Sequence, residues 1–220
     1  GGIYLRRRVE KILVESGRAV GVELAPVRGA PPREVRAKVV LSNADYQRTL
    51  LELVGPEHLP ERVVRKTAAH TLPSALFMTC LGVEGEIEKM GAANYWQFDD
   101  IDFEKNYRTI QQGEPSTFCA YITSATHKDP ENAAHHAPPG VTSVEVMSLV
   151  TGDFARWGAG DMSVERREYR GSNHYQALKA GIEAQLINRL DEVFPGTKSR
   201  IVFQESATPV THARYTRGSA

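Results

Sequence analysis

The sequence predicts an α+β protein: a mixed, largely antiparallel sheet packed with helices, accompanied by a separate three-stranded β-meander. Three observations carry this prediction. Short β-rich runs joined by turn residues occupy positions 1–48. Further strand-like runs are spread over the rest of the chain, and a long amphipathic segment near the end has helical periodicity.

The first 48 residues predict three strands, Val9 to Val14, Ala19 to Leu24 and Val35 to Leu41. A turn at Glu15–Arg18 separates the first two, and a loop at Pro26–Pro32 separates the second and third. The last three residues of the third strand are apolar without alternation, which predicts burial on both faces. Three short strands bury too little surface to be stable without further packing.

Two helices are predicted after the meander. Asp45 can cap a helix that runs through Val54 and ends at Gly55-Pro56. A second helix, Pro60 to Ala69, carries three basic residues and few apolar ones, so it is predicted to be exposed.

The remaining chain predicts four strands and one long helix, with positions 94–110 left unassigned. The strands are Leu72–Val83, Ser116–Ser124, Thr142–Val150 and Arg200–Glu205. The helix, from about Tyr175 to Phe194, has Ser172 or Asn173 as its cap and Pro195-Gly196 as its stop. One face of it is apolar, at Tyr175, Leu178, Ile182, Leu186, Leu190 and Val193.

Composition excludes several classes of protein. The chain has 27 basic and 27 acidic side chains, so no net charge favours nucleic acid as a partner. No apolar run is long enough to span a bilayer, and the first residues do not match a signal peptide. Cys80 and Cys119 lie in apolar runs, which favours buried thiols over a disulfide or a reactive thiol and predicts a reducing, cytoplasmic location.

Motifs for several chemistries are absent. The chain lacks both GxGxxG and GxxxxGK[ST], so it is not expected to hold a nucleotide unaided, and it lacks the GxSxG of serine hydrolases. His127, His135 and His136 share a loop with no fixed geometry, so no metal site is predicted.

Three side-chain clusters have a functional and an ordinary interpretation. An acidic turn is favoured over paired acid/base groups at Asp99, Asp100 and Asp102. A solvated helix face is favoured over a phosphate site at Arg62, Arg65 and Lys66. For the stretch Tyr95–Phe98, core packing is favoured over a pocket for an apolar ligand.

Several segments resemble those of phytoene desaturase and carotenoid isomerase-like flavoproteins, relatives of the flavin amine oxidases. The resemblance lies in Arg8–Val14, Gly17–Leu24, Ala37–Asp45, Tyr95-Trp96, Asp129-Pro130, Ala137–Gly140, Phe194-Pro195, Thr208-Pro209 and Arg214–Thr216. Tyr46 departs from the family, which commonly has proline there. Members of this family open with GxGxxG and close with a second flavin-contacting stretch, so the chain resembles a central piece of such a protein.

This resemblance implies a division of the chain and a set of FAD contacts. It implies that residues 1–48 are the meander of a split FAD-binding domain, 49–206 a substrate-binding domain and 207–220 a segment returning toward the FAD domain. It implies that the backbone at Val9 pairs with the adenine edge of FAD and that Ser42, Asn43 and Ala44 pass near the dinucleotide. Core packing is an equal alternative for Val9. A strand is implied from Thr208-Pro209 to Arg214-Tyr215, with simple turn chemistry as the alternative.

The function expected from this resemblance is the substrate-binding part of an FAD-dependent desaturase, isomerase or related oxidoreductase. The substrate would be a polyene or another apolar small molecule. The isolated chain is expected to hold no flavin and to be inactive, and no residue is assigned a catalytic role. The sequence does not decide whether the longer protein contacts a membrane peripherally or whether the chain forms a homodimer. The alternative is a non-redox module that binds an apolar ligand or another protein.

Overall fold

The computed structural model describes residues 2–27, 31, 33–70, 74–113, 117–160, 162, 164 and 166–217. It divides into two compact units, Gly1–Thr71 with Thr216–Ser219, and Leu72–Tyr215 with Ala220. The predicted division at 1–48, 49–206 and 207–220 follows the functional parts that the resemblance implies, and it stays a prediction.

The first unit contains the predicted β-meander. Its strands are β1 (Val9–Glu15), β2 (Arg18–Leu24) and β3 (Arg33–Arg36), in the order β1-β2-β3 with antiparallel neighbours. The β1–β2 turn, Ser16-Gly17, has positive φ at both residues (48° and 76°), the geometry that matches the twist of a tight hairpin.

The prediction for the third strand is wrong at its end. β3 stops at Arg36, and Val39 and Leu41 are 80% and 94% exposed instead of buried on both faces. Within the described residues, no strand pairs with the outer edge of β3, so nothing in the sheet covers the run that follows it. Part of the predicted loop before β3, Arg28–Ala30 and Pro32, lies outside the described residues.

The two helices predicted after the meander are confirmed. Asp45 is an N-cap whose Oδ1 accepts a hydrogen bond from Arg48 N at 2.9 Å. Helix α1 (Tyr46–Arg48) continues as a π-helical segment, Thr49–Val54, and ends at Gly55. Helix α2 (Glu61–Ala68) follows, and its basic residues Arg62, Arg65 and Lys66 are exposed.

The second unit is built on a five-stranded antiparallel sheet. Its strands are β4 (Ala75–Glu84), β5 (Tyr95–Phe98), β6 (Cys119–Thr123), β7 (Val141–Val150) and β8 (Ile201–Ala207), in the order β5-β6-β7-β4-β8. The four predicted strands are confirmed, although Leu72, Pro73 and Ser116 lie outside the described residues. The unassigned region 94–110 contains β5 and most of helix α3 (Phe103–Gln111).

One face of this sheet packs against the predicted long helix. After the short helices α4 (Ala125–Lys128) and α5 (Ala133–His136), helix α6 spans Asn173–Val193 with Ser172 as its N-cap. The buried residues of α6 share a core with alternate residues of β4 and β7, a set that includes Ile182, Leu186, Leu190, Phe77, Leu81, Val83, Val144 and Val146. The α+β architecture predicted from the sequence is confirmed.

The strand implied near the end of the chain is wrong, because this segment is helix α7 (Pro209–Thr216). Thr208 Oγ1 accepts a hydrogen bond from Thr211 N at 3.2 Å, and proline fits the first turn of a helix. Among the described residues, no helix combines the length and apolar character needed to cross a bilayer.

Candidate functional site

The predicted FAD contact at Val9 lies on the free edge of β1. Arg8 O accepts a hydrogen bond from Ala25 N at 2.8 Å, and Val9 is opposite Leu24 in the antiparallel register. Neighbouring residues of a strand direct their peptide groups to opposite sides, so the N–H and C=O of Val9 point away from β2. A register irregularity between Val9 and Lys11 follows at this edge.

Beside this edge is a cavity of about 420 Å³ that brings two of the four predicted cofactor residues together. We call it the β1 cavity. It is lined by Arg8, Val9, Glu10, Ala44, Asp45, Arg48, Glu52, Leu53, Thr216 and Arg217. Ser42 and Asn43 are exposed and do not line it. Ser42 Oγ instead lies 2.8 Å from Thr49 Oγ1.

Within a largely charged lining, the backbone at Val9 fits a flat, neutral heteroaromatic edge. The backbone at Val9 offers a donor and an acceptor side by side, and its side chain is half-buried. Arg48 is engaged already, with Nε donating to Glu52 Oε2 at 3.0 Å and Nη1 donating to Arg217 O at 2.9 Å. The residues present therefore fit the adenine end of a dinucleotide.

The second unit offers a different surface, on the sheet face opposite α6. Residues of β5 alternate between the two faces: Tyr95 packs on Phe194 in the core at a ring distance of 4.9 Å, whereas Trp96 is 58% exposed. The favoured interpretation of Tyr95–Phe98 as core packing is therefore confirmed for Tyr95, whereas Trp96 and Phe98 lie on the other face, exposed to solvent.

An apolar row crosses this exposed face from one edge of the sheet to the other. Successive cross-strand partners are Trp96, Tyr121, Met147, Met78 and Ala207, one from each strand. Four intervals of about 4.8 Å make the row about 19 Å long. The aromatic rings of Trp96 and Tyr121 lie 4.7 Å apart, and those of Trp96 and Phe98 are nearly parallel at 5.9 Å.

A polar row lies one pleat further along the same face. Glu145 is the partner of Cys80 on β7, and Glu205 is its partner on β8. Burial raises the pKa of the Cys80 thiol, and the charges of Glu145 and Glu205 raise it further. Both cysteines are free thiols; Cys119 is buried as predicted, whereas Cys80 is only half-buried.

Cys80 and Glu145 also line a second cavity, of about 510 Å³, which we call the β4–β8 cavity. Its other lining residues are Leu81, Gly82, His136, Ala137, Pro138, Val141, Ser143, Val144, Val202 and Phe203. The arrangement is an apolar surface with a few polar groups at one end, typical of a small-molecule site.

The acidic turn and two of the three loop histidines, His127 and His136, make local structural contacts. Asp99 pairs with Arg189, and Asp102 caps α3 by accepting a hydrogen bond from Lys105 N at 2.9 Å. Ser124 Oγ lies 2.9 Å from His127 Nδ1, and His136 Nε2 lies 3.1 Å from Asp129 Oδ2. No group of three or more His, Cys, Asp or Glu side chains within the described part of the chain could hold a metal ion.

Sequence reasoning missed most of the residues of the exposed face. These residues belong to predicted strands that are apolar on both faces, so the alternation of side chains cannot identify which face the helix covers. They are Met78, Tyr121, Met147 and Glu145. Cross-strand register, which sequence periodicity does not specify, brings them into rows.

Comparison with known proteins finds prolycopene isomerases and retinol 13,14-reductases as relatives. The chain is 25% identical over 214 residues to the chloroplastic prolycopene isomerase of Arabidopsis thaliana, covering 97% of this chain and 31% of the relative. It is 25% identical to the all-trans-retinol 13,14-reductase of Danio rerio, covering 98% and 35%. The resemblance noted in the sequence is confirmed by these relatives, of whose length the chain spans about a third.

No family model matches the chain. Among solved structures, a protein of Pyrococcus furiosus from a structural genomics programme is similar, with a TM-score of 0.48 and 14% identity, covering 92% of this chain and 37% of that one.

Proposed function

Given its similarity to prolycopene isomerases and a retinol reductase over nearly all of its length, we propose that this chain is the substrate-binding part of an FAD-dependent oxidoreductase. The substrate is a polyene or a similar apolar molecule. The flavin, when bound, supplies the redox chemistry, and the residues of this chain bind and orient the substrate and exclude water.

The apolar row is the observation that carries this proposal. Trp96 and Tyr121 present aromatic rings, and Met147 and Met78 present polarisable thioethers, so the row can contact an extended conjugated chain along its length. Trp96 is exposed and the other four residues of the row are half-buried. A contiguous, partly exposed apolar surface is typical of a ligand or interaction site.

The β1 cavity supports the flavin part of the proposal. The outward N–H and C=O of Val9 can hydrogen-bond the edge of adenine, and Ala44 lies at the same cavity without a bulky side chain. This contact is neutral and local, so by itself it gives weak binding, in keeping with the expectation that the chain alone holds no stoichiometric flavin.

Titration of the chain with all-trans-retinol, followed by the fluorescence of the polyene, tests the substrate site. Saturable binding is expected, and Trp96→Ala should weaken it about tenfold, since a buried aromatic contact contributes on the order of 1.4 kcal/mol. Ile101→Ala is the matched control, because Ile101 is 86% exposed and lies outside the apolar row. No binding, or equal binding by both variants, overturns the substrate proposal.

Titration of a ¹⁵N-labelled chain with adenosine monophosphate tests the adenine contact. Chemical-shift changes are expected at the amides of Val9 and Ala44 and not at those of α2. Shifts confined to the basic face of α2 would show binding to surface charge and would contradict the adenine assignment. Loss of both adenine and polyene binding would favour a protein-interaction module.

A further inference from the structure

The β4–β8 cavity owes its space to Gly82. A Cβ at this position would lie 3.2 Å from Phe203 Cβ and 3.2 Å from Val141 Cγ1, closer than most real Cβ contacts. Phe203 is 55% exposed although it lines the cavity, so the cavity is accessible from solvent. Side chains larger than glycine at position 82 would reduce the volume that a ligand can use.

Glu145 is the acidic side chain in the lining of this cavity, and the other polar residues of the lining are Cys80, Ser143 and His136. Within the described residues, neither Glu145 nor its row neighbour Glu205 has a hydrogen bond or ion pair to a basic side chain. Ser143 Oγ lies in the same lining, and no lysine or arginine lines the cavity. The imidazole of His136 also lines the cavity, and its Nε2 lies 3.1 Å from the carboxylate of Asp129.

The cavity lies beside the apolar row on the same face of the sheet. Cys80 follows Met78 by two residues on β4, and Glu145 precedes Met147 by two residues on β7, so each pair shares a face. Two residues of strand span about 7 Å. A ligand whose chain lies on the apolar row can therefore place one end in the cavity.

We propose that the β4–β8 cavity binds the hydroxyl end of an uncharged apolar ligand and rejects a carboxylate end. A hydroxyl donates a hydrogen bond to the carboxylate of Glu145 or to Ser143 Oγ, whereas an ionised carboxylate brings a third negative charge beside Glu145 and Glu205. This inference rests on the proposed function for the apolar nature of the ligand and adds the chemistry of its polar end.

Displacement of Nile red from the full chain by oleyl alcohol and by oleic acid tests this inference at a pH where the acid is ionised. The alcohol is expected to bind at least about tenfold more tightly. Glu145→Gln should tighten oleic acid about tenfold and change the affinity for the alcohol by less than about threefold. The matched control is Glu104→Gln, which removes an exposed charge of α3 outside the cavity and should change neither affinity.

Gly82→Val locates the site, because it fills the cavity and should weaken the alcohol about tenfold. If this variant does not fold, Ser143→Phe fills the cavity from β7. Unchanged affinity in the folded variant, or equal affinity of the unmodified chain for alcohol and acid, overturns the inference and leaves the proposed function standing. Binding of neither lipid, together with no retinol binding, overturns both.

Discussion

Arg189 on α6 donates two hydrogen bonds to the carboxylate of Asp99, from Nη1 to Oδ1 at 2.7 Å and from Nη2 to Oδ2 at 2.6 Å. Nη2 also donates to Thr117 O at 2.8 Å, and Asp99 N donates to Phe118 O. The Arg189 side chain is only 12% exposed. This pair therefore joins the long helix to the segments that flank β5 and β6.

The ion pair between Asp99 and Arg189 makes the free energy of unfolding fall at acidic pH. The hydrogen bonds from Arg189 lower the pKa of Asp99 below its ordinary value of 3.8. The stability that the pair contributes is present above the pKa of the unfolded state and is lost as the pH falls through the lowered folded value. Asp99→Asn is expected to cost about 1 kcal/mol near neutral pH and to flatten the loss in acid, measured by urea unfolding. Parallel pH profiles of the two proteins would contradict this.

Neighbouring aromatic residues of β5 should differ in stability when they are truncated. Tyr95→Ala is expected to cost about 2–4 kcal/mol, because Tyr95 packs on Phe194 in the core. Trp96→Ala should cost less than about 1 kcal/mol, since its side chain is largely exposed. Thermal or urea unfolding measures the loss of stability in both variants. A larger loss for Trp96→Ala than for Tyr95→Ala would contradict the assignment of Tyr95 to the core face of β5.

The N-cap of α6 is open to a direct test. Ser172 Oγ accepts a hydrogen bond from Tyr175 N at 3.3 Å. Ser172→Ala removes this acceptor and is expected to cost about 1 kcal/mol of unfolding free energy. Ser172→Asp keeps a capping oxygen and should restore most of it. The assignment fails if both variants are equally destabilised.

A buried hydroxyl pair joins β4 to β8. Thr79 is fully buried, and its Oγ1 lies 2.9 Å from Ser206 Oγ, which donates to Glu183. Thr79→Val keeps the shape and removes the polar partner, so a loss of about 1–2 kcal/mol in urea unfolding is expected. Thr109→Val is the control, because Thr109 is only half-buried and its Oγ1 donates to Lys105 O within its own helix, and it should lose less than about 0.5 kcal/mol.

Local patterns were sufficient to predict most elements of this fold. Asp45 and Ser172 identify their helix starts because short polar side chains satisfy free N–H groups there. The apolar positions of α6 identify its buried face because helical period places them together. The same approach failed at Val39–Leu41, where burial depends on whether another strand is present.

The candidate sites were less predictable than the elements. Val9 and Ala44 were named through family resemblance, and the fold brings both to the β1 cavity. The apolar row and the cavity at Gly82 were not predicted, because their residues come from strands far apart in the chain.

By itself, the sequence determined the α+β class, the meander, the caps and the amphipathic helix, and it indicated the kind of relative that comparison then found. These features depend on local chemistry or on residue order. Tertiary structure alone decided which face of the large sheet α6 covers and which it leaves uncovered. It also decided that Glu145 and Glu205 flank Cys80, because cross-strand register is a property of the assembled sheet and leaves no periodic signal along the chain.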